Sequence, residues 1–451
     1  MSLIFRVLVF LIFVTSSFDI FLNVNLGGFN IRACYLFVFL FIILYLYFYR
    51  DAARIRFLGL FFFLPWVAFL LAFVGNTPLL NRNIGYIAWL GFNCMTCYVI
   101  YKFAMHSNVY RMIKLYLLSF FVLSLAGILQ FTLSQFGIHI LVTMWWDVEK
   151  FARVNAFSYE PSYYASYLLI GFCFLYASQR KQIYYFRKKN QLLILIFLVT
   201  AIFLSTSRMG ILIMILILLY DVFRMLFRVV FTRKVSLVNF IVSVCLILSF
   251  SAVIGNILLD EDLRSRYLAG TGLESTAAHS REVREEQFLN VWRIFVKSPI
   301  FGYSLGGIAP NIALMEGAIP EIEMGGAPEK VSMEVIKLHE GLNVIMEVLA
   351  ASGVIGFLFF FFWIFQLFRG GFRLSGRLKR EGFWQEGILL QSLCFALVVE
   401  LVILSFSQNI LRPYLWILIG LINAVYFKMK STLKQNSEGR MPELEVSPTN
   451  E

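Results

Sequence analysis

Arginines and a histidine lie where an apolar chain meets its polar connections, and these residue types bind phosphates and move protons. Arg153 and Glu160 share one connection between apolar segments, and Arg208 ends a tight turn at 205–208 between two others. A guanidinium presents a planar fork of donors that suits two phosphate oxygens. The pattern indicates a phosphate or pyrophosphate site, and the alternative for Arg208 is a turn residue that reaches the membrane interface.

The longest polar stretch, residues 260–340, holds further candidates together with nearly half of the 27 acidic residues. Arg281 and Arg284 open a predicted amphipathic helix, in which solvated pairs such as Arg281 with Glu285 account for most of the charge. His339 stands at the start of the next apolar segment. A neutral imidazole there would accept a proton from a hydroxyl, although a lone interfacial histidine is more often structural.

The composition sets these residues in a membrane protein. The chain has 451 residues, a hydrophobic share of 60%, 49 Phe and a mean hydropathy of +0.77, which exceeds the usual range of soluble domains. The formal net charge of +12 follows from the use of Lys and Arg to fix orientation and contact anionic lipid. We therefore predict membrane lipid as a partner and no nucleic acid.

A membrane helix needs about 20 mainly apolar residues, and the fold class that follows is an all-α polytopic membrane protein with about 12 transmembrane helices. The predicted spans are 4–22, 32–49, 57–75, 84–104, 115–135, 161–178, 191–206, 208–224, 236–259, 341–368, 387–408 and 411–428. The chain thus divides into transmembrane helices 1–9 in residues 1–259, a large loop at 260–340, helices 10–12 in 341–428 and a polar, disordered tail at 429–451.

Lys and Arg are concentrated in one alternate set of connections, which predicts that both termini are cytoplasmic and that the loop 260–340 is outside. Few basic residues occur in the opposite short connections: Arg32, Arg82, Lys150, Arg153, Arg208 and Arg412. Glu400 lies within the eleventh predicted span and requires a partner. The candidates for that partner are Arg208 and Arg412.

These elements, in this order, resemble the O-antigen polymerase and O-antigen ligase superfamily of bacterial envelope glycosyltransferases. The resemblance is carried by Arg153 with Glu160-Pro161-Ser162, Ser205-Thr206-Ser207-Arg208, Ser280-Arg281, Trp292, Pro299-Ile300-Phe301-Gly302, Gly306, His339, Gly353 and Gly356. Two positions depart from the family pattern. Ala156 stands where a glycine is common, and Glu340 follows the histidine where Asn or another small polar residue is common.

The resemblance implies a GT-C-like, metal-independent inverting glycosyltransferase without a cofactor, at the periplasmic face of the bacterial inner membrane. Its donor and acceptor would be undecaprenyl-pyrophosphate-linked glycans, with a chain-length regulator protein as a further partner. His339, Arg281 and Arg208 would be catalytic, with His339 as the base. Substrate would be bound by Arg153, Glu160, Arg284 and Tyr303, where Arg284 is a substitute for Arg281, Glu160 fixes Arg153 and Tyr303 stacks on sugar.

Polymerase and ligase differ in the acceptor, which is a lipid-linked repeat unit or the lipid A core, respectively. We favour the polymerase because the ligase-like His-Asn pair is absent at His339, and a protein-glycosylating relative stays open. A lipid-linked oligosaccharide flippase or transporter is an alternative from another class, and it would predict polar residues along the spans and repeated halves. A sensor or structural protein would leave Arg153, Arg208 and His339 individually replaceable.

Overall fold

The computed structural model of the chain describes residues 2–26, 29–49, 56–147, 151–232, 278–317, 343–407 and 410–438, together with 255 and 259. This described part is predominantly helical. Four of its helices are long and apolar enough to cross a membrane, Leu80–His106, Val109–Gln135, Val344–Arg380 and the window Trp384–Phe406. Three shorter apolar helices accompany them: Leu3–Thr15, Ala33–Tyr49 and Leu60–Ala72. These findings are those of a helical membrane protein, and the number of about 12 transmembrane helices stays a prediction.

The helices are numbered in chain order over the described residues. The first eight are α1 Leu3–Thr15, α2 Ala33–Tyr49, α3 Leu60–Ala72, α4 Leu80–His106, α5 Val109–Gln135, α6 Pro161–Arg180, α7 Lys188–Leu204 and α8 Arg208–Thr232. The later ones are α9 Ala278–Lys297, α10 Ile308–Met315, α11 Val344–Arg380, α12 Trp384–Ser407 and α13 Pro413–Ser437. Each predicted span except 236–259, which lies almost wholly outside the described residues, overlaps one of these helices.

Local sequence explains where several helices begin. The Asn108 side chain accepts hydrogen bonds from the backbone N–H groups of the first turn of α5, and Asn343 does the same for α11. Pro161 and Pro413 occupy the first positions of α6 and α13, where a missing N–H costs nothing and the fixed φ suits the helix. α13 continues through Ser437, so helix extends into the tail predicted at 429–451.

Two short antiparallel hairpins lie in the connections. β1, Val24–Leu26, pairs with β2, Phe29–Ile31, in the register Val24↔Ile31 and Leu26↔Phe29. β3, Trp145–Asp147, pairs with β4, Phe151–Ala152, in the register Trp145↔Ala152 and Asp147↔Phe151, with an irregularity between Trp145 and Asp147. The second hairpin leads directly into Arg153.

Helix α11 is broken at Gly353, where φ is 62° and ψ is −177°. The break leaves the carbonyls of Ala350 and Ala351 without helical partners, and they accept hydrogen bonds from the backbone N–H groups of Tyr303 (3.1 Å) and Ser304 (2.7 Å). In return, Val354 N–H donates to the Pro299 carbonyl at 2.8 Å. The segment 299–304 thus satisfies the freed backbone groups of the broken helix, as a membrane environment requires.

One part of the extended hydrophobic core is a set of aromatic rings between α3, α11 and α13. Trp66, Trp363 and Trp416 are fully buried, and Trp363 stacks on both of the other indoles with ring centroids 5.9 Å apart. A polar contact also joins α13 to α4. The Cys97 thiol of α4 donates a hydrogen bond to the Trp416 carbonyl at 2.9 Å. Since lipid tails are as apolar as these side chains, close packing and buried hydrogen bonds hold such helices together.

Candidate functional site

The connection that carries Arg153 is fixed through its backbone. Arg153 N–H donates to the Met144 carbonyl at 3.1 Å, and Val154 N–H donates to the Leu204 carbonyl at the end of α7 at 3.2 Å. The Gln130 side chain of α5 accepts from the N–H groups of Asn155 (3.0 Å) and Ala156 (2.9 Å). A buried backbone N–H without an acceptor is costly, so Gln130 stabilises this irregular segment.

The Arg153 side chain lies against the turn between α7 and α8. Its Nε–H donates to Thr206 Oγ1 at 2.7 Å, and one terminal nitrogen contacts Met144 Sδ at 3.8 Å. Burial lowers the pKa of the Arg153 guanidinium, and the negative charge of Glu160 opposes that shift. Arginine nevertheless stays protonated in proteins, so the site presents a permanent, partly desolvated cation.

Two residues beside Arg153 adopt left-handed backbone conformations. φ is 47° at Ala156 and 51° at Thr206. Residues other than glycine rarely occupy this region, and for a β-branched residue such as threonine it is unusual. Such strain persists only where the surrounding structure enforces it, and it clusters at functional sites.

Glu160 lies between two arginines. It occupies the N-cap position of α6 and accepts a hydrogen bond from Ser162 Oγ at 2.9 Å. Its charge acts on both Arg153 and Arg412. Glu160 therefore interacts with Arg153 electrostatically, while Thr206 makes the hydrogen bond that orients the guanidinium.

Arg412 is buried at the N-terminus of α13 and joins this helix to the connection that follows α1. Its Nη1 lies 2.9 Å and 3.0 Å from the two carboxylate oxygens of Asp19, and its guanidinium carbon lies 3.7 Å from the centroid of the Tyr163 ring. Burial lowers the pKa of Arg412, but the negative charges of Asp19 and Glu160 outweigh it, so the pKa is raised overall. Arg32 also approaches Asp19, at 3.5 Å.

The turn that holds Arg412 is supported by side chains of two helices. Asn93 Nδ2 of α4 donates to the Leu411 carbonyl at 3.2 Å, and Trp416 Nε1 donates to the Ile410 carbonyl at 2.8 Å. Asn93 also accepts from the Tyr35 hydroxyl of α2 at 3.2 Å. These buried hydrogen bonds fix the start of α13 against α2 and α4.

Arg208 is the first residue of α8 and its side chain is exposed. α8 packs closely on α6 there, since a Cβ at Gly210 would lie 3.0 Å from the Ala165 Cβ. Arg208 therefore stands near the N-terminal part of α6, two residues beyond Thr206, which binds Arg153. The N-terminus of a helix adds a partial positive charge to that of the guanidinium.

Tyr303 lies in the segment that fills the break in α11. Its backbone carbonyl accepts from Asn83 Nδ2 of α4 at 3.2 Å, and burial raises the pKa of its hydroxyl. Tyr303 is thus positioned by α4 and α11, whereas Arg153 is positioned by α5, α7 and the turn at 205–207. No hydrogen bond or ion pair among the described residues joins these two positions directly.

The structure does not give side-chain positions for three of the predicted site residues. His339 lies outside the described residues. Arg281 and Arg284 belong to α9, of which the described part gives the backbone at these positions. The roles of these three residues stay predictions.

Glu400 in α12 is buried, and the charge of Arg412 acts on it. Arg412 is therefore the interacting arginine of the two that the sequence offered. Within the described part of the chain, neither carboxylate oxygen of Glu400 has a hydrogen-bond donor. The ion pair that Arg412 forms is instead with Asp19.

Sequence reasoning missed Asp19, Gln130 and the direct role of Thr206. Asp19 lies near the end of the first predicted span and Gln130 lies inside the fifth, so each was visible as a polar residue at the edge or interior of a span. Their partners were not visible, because Asp19 and Arg412 lie 393 residues apart. In the described residues, no group of three or more His, Cys, Asp or Glu is arranged to hold a metal ion.

Comparisons with known proteins do not identify a function for this chain, so the proposed function is argued from the site. No family model matches the chain, and no curated protein matches it either.

Proposed function

We propose that this protein polymerises undecaprenyl-pyrophosphate-linked repeat units of a surface polysaccharide at the outer face of a bacterial inner membrane. An acceptor hydroxyl oxygen attacks the anomeric carbon of the donor, the bond from that carbon to the phosphate oxygen breaks, and the lipid pyrophosphate leaves. Attack opposite to the leaving group inverts the anomeric centre. Negative charge develops on the pyrophosphate, so the protein must supply positioned cations and remove one proton.

The observation that carries the proposal is the environment of Arg153. Its guanidinium is partly buried and oriented by Thr206, and among the described residues the partner of its terminal nitrogen is the thioether of Met144, at 3.8 Å. A thioether is a weak acceptor, and a phosphate oxygen in its place would form a charge-assisted hydrogen bond. Arg153 is thus held in one orientation with capacity left for an anion.

Arg208 supports the proposal from the neighbouring helix. It is the first residue of α8, where backbone N–H groups lack intrahelical acceptors and favour phosphate binding. The negative charge of Glu160 acts on both Arg153 and Arg412 in the absence of a ligand. In our proposal Arg153 and Arg208 bind the pyrophosphate with Arg281 or Arg284, and His339 accepts the proton of the attacking hydroxyl.

The test is the length of surface glycan on a gel, from a null strain complemented with wild type or with Arg153→Ala, Arg208→Ala or His339→Ala. Each variant is expected to leave core that carries a single repeat unit. Arg380→Ala provides a matched control, because Arg380 is an exposed arginine at the far end of α11. Protein levels in the membrane must equal those of wild type.

Two outcomes would redirect the proposal. Bare core with polymer accumulating on the lipid carrier would identify the ligase instead of the polymerase. A full ladder from all three variants would overturn the proposed site and leave a sensor or structural role for this end of the protein.

A further inference from the structure

A second cationic site lies at the opposite end of the helix bundle. α13 begins beside Arg412 and runs to Ser437, so at ~1.5 Å per residue Arg412 and Lys430 lie roughly 27 Å apart along the axis. Lys428 marks this second end, since its Nζ donates to the Ala104 carbonyl at the end of α4 at 3.1 Å. The separation approaches the roughly 30 Å thickness of a bilayer core.

At this end α11, α13 and the segment just before α3 line an open cavity of about 710 Å³. Its basic lining comprises Arg56, Arg369, Arg373, Arg377, Lys430 and Lys434. Among the described residues that line the cavity, none carries a carboxylate. The bias of Lys and Arg towards one membrane side accounts for basic residues at this end, but it does not require that they line one concavity.

The arginines are stacked along one face of α11. Arg369, Arg373 and Arg377 follow each other at intervals of four residues, an arrangement in which like charges destabilise a helix. Arg377 pairs with Glu381 at 3.7 Å, and Lys434 pairs with Glu438 at 3.7 Å. Among the described residues, Arg369 and Arg373 have no carboxylate partner, so an anion in the cavity would relieve their repulsion.

An apolar cavity lies beside the basic one and favours a lipid as the source of that anion. It measures about 190 Å³ and is lined almost wholly by apolar and aromatic side chains, including Phe57, Leu60 and Trp416. The two cavities flank the same short segment, because Arg56 and Leu58 line the basic one. Asn423 of α13 fixes that segment by accepting from Leu58 N–H at 2.6 Å.

We propose that this cavity binds the phosphate headgroup of an anionic phospholipid, with Arg369, Arg373 and Lys430 as its ligands and an acyl chain directed towards Phe57 and Leu60. The site is independent of the glycan chemistry at the other end of the bundle. Its consequence is that anionic lipid stabilises the packing of α3, α11 and α13.

The experiment uses the full chain in phosphatidylcholine vesicles that contain a photoactivatable phosphatidylglycerol, with labelled peptides identified by mass spectrometry. Labelling of the segments around 56–60 and 366–377 is expected. The double variant Arg369→Gln/Arg373→Gln should reduce this labelling at least about tenfold, since each basic residue near an anionic surface contributes roughly a fivefold increase in affinity. Arg369→Lys/Arg373→Lys should retain most of it.

A control and a competitor make the result decisive. Lys188→Gln/Lys189→Gln removes two exposed charges at the start of α7, which do not line this cavity, and should leave labelling unchanged. Equal labelling of wild type and Arg369→Gln/Arg373→Gln would overturn the proposal. Loss of labelling on addition of soluble glycerol phosphate would also overturn it, because the site would then recognise a free phosphate rather than a lipid.

Discussion

The Nε–H of Arg153 donates to Thr206 Oγ1 at 2.7 Å across 53 residues of sequence. This hydrogen bond joins the two connections that carry the candidate arginines, because Thr206 lies two residues before Arg208. It also fixes the orientation of the Arg153 guanidinium. The Ser-Thr-Ser-Arg turn therefore acts in part through its threonine.

Thr206→Val should impair the proposed reaction while Thr206→Ser should preserve it. Valine keeps the shape of threonine but removes the acceptor, and a hydrogen bond to a charged group contributes about 1.5–3 kcal/mol. We expect at least a roughly tenfold loss of polymer-forming rate in Thr206→Val membranes, at about 1.4 kcal/mol for each factor of ten. Rate is measured as incorporation of labelled repeat unit, and equal rates in both variants would show that Arg153 needs no orientation by Thr206.

Asp19→Asn should destabilise the fold strongly. Asp19 is largely buried and contacts the buried Arg412 at 2.9 Å and Arg32 at 3.5 Å, and removing one partner of a buried ion pair costs about 3–5 kcal/mol. The measurement is the thermal unfolding midpoint in mild detergent, followed by tryptophan fluorescence. Glu381→Gln breaks the exposed pair with Arg377 and should change stability by less than about 1 kcal/mol. Similar midpoints for the two variants would contradict a buried, structural role of Asp19.

Ala156→Gly should be neutral or stabilising, although glycine usually weakens a folded chain. The left-handed φ of 47° at Ala156 costs a residue with a side chain about 1–2 kcal/mol, which exceeds the roughly 0.5–1 kcal/mol entropic cost of glycine. Ala156→Val should lower the unfolding midpoint, because a β-branched residue resists this conformation. A lower midpoint for Ala156→Gly than for wild type would show that the methyl group of Ala156 makes a needed contact.

Gly353→Ala should abolish accumulation of folded protein. A Cβ at Gly353 would lie 2.1 Å from the Ile300 carbonyl oxygen, and the φ of 62° with ψ of −177° belongs to a region that only glycine occupies. Gly376→Ala is the matched control on the same helix, since nothing lies within 4 Å of its added Cβ. Alanine there should be tolerated or should stabilise α11 by up to about 1 kcal/mol. Folded yield is measured by size-exclusion chromatography of a fluorescent fusion, and normal yield for Gly353→Ala would contradict the close approach.

The contact between the segment 299–304 and the break at Gly353 could not be inferred from the sequence motifs. In the sequence, Pro299-Ile300-Phe301-Gly302 and Gly353 are separate elements of the family resemblance. The structure joins the two, because backbone groups at 299, 303 and 304 bond those of the broken helix α11. Hydrogen bonds between backbone groups about fifty residues apart do not depend on the side chains, apart from the glycines that allow the close approach. The pattern of side chains therefore does not reveal them.

The sequence alone determined the class of this protein and the approximate positions of most of the helices that the structure describes. Long apolar runs force the chain to satisfy its backbone hydrogen bonds internally, and in a bilayer this means helices. The predicted spans begin at 161, 341 and 411, close to the observed starts at Pro161, Val344 and Pro413, since the signals that start a helix act within one turn. The membrane orientation and the glycosyltransferase chemistry stay predictions from charge bias and resemblance.

Only the tertiary structure decided which polar side chains meet. Thr206 binds Arg153, and Asp19 binds Arg412, although the sequence offered Glu160 and Glu400 as the partners of these arginines. Helical periodicity and charge bias specify which face or end a residue occupies. They do not specify its partner, because that depends on how α1, α6, α7 and α13 pack, and packing of apolar helices against one another is set by shape and buried hydrogen bonds spread over the whole chain.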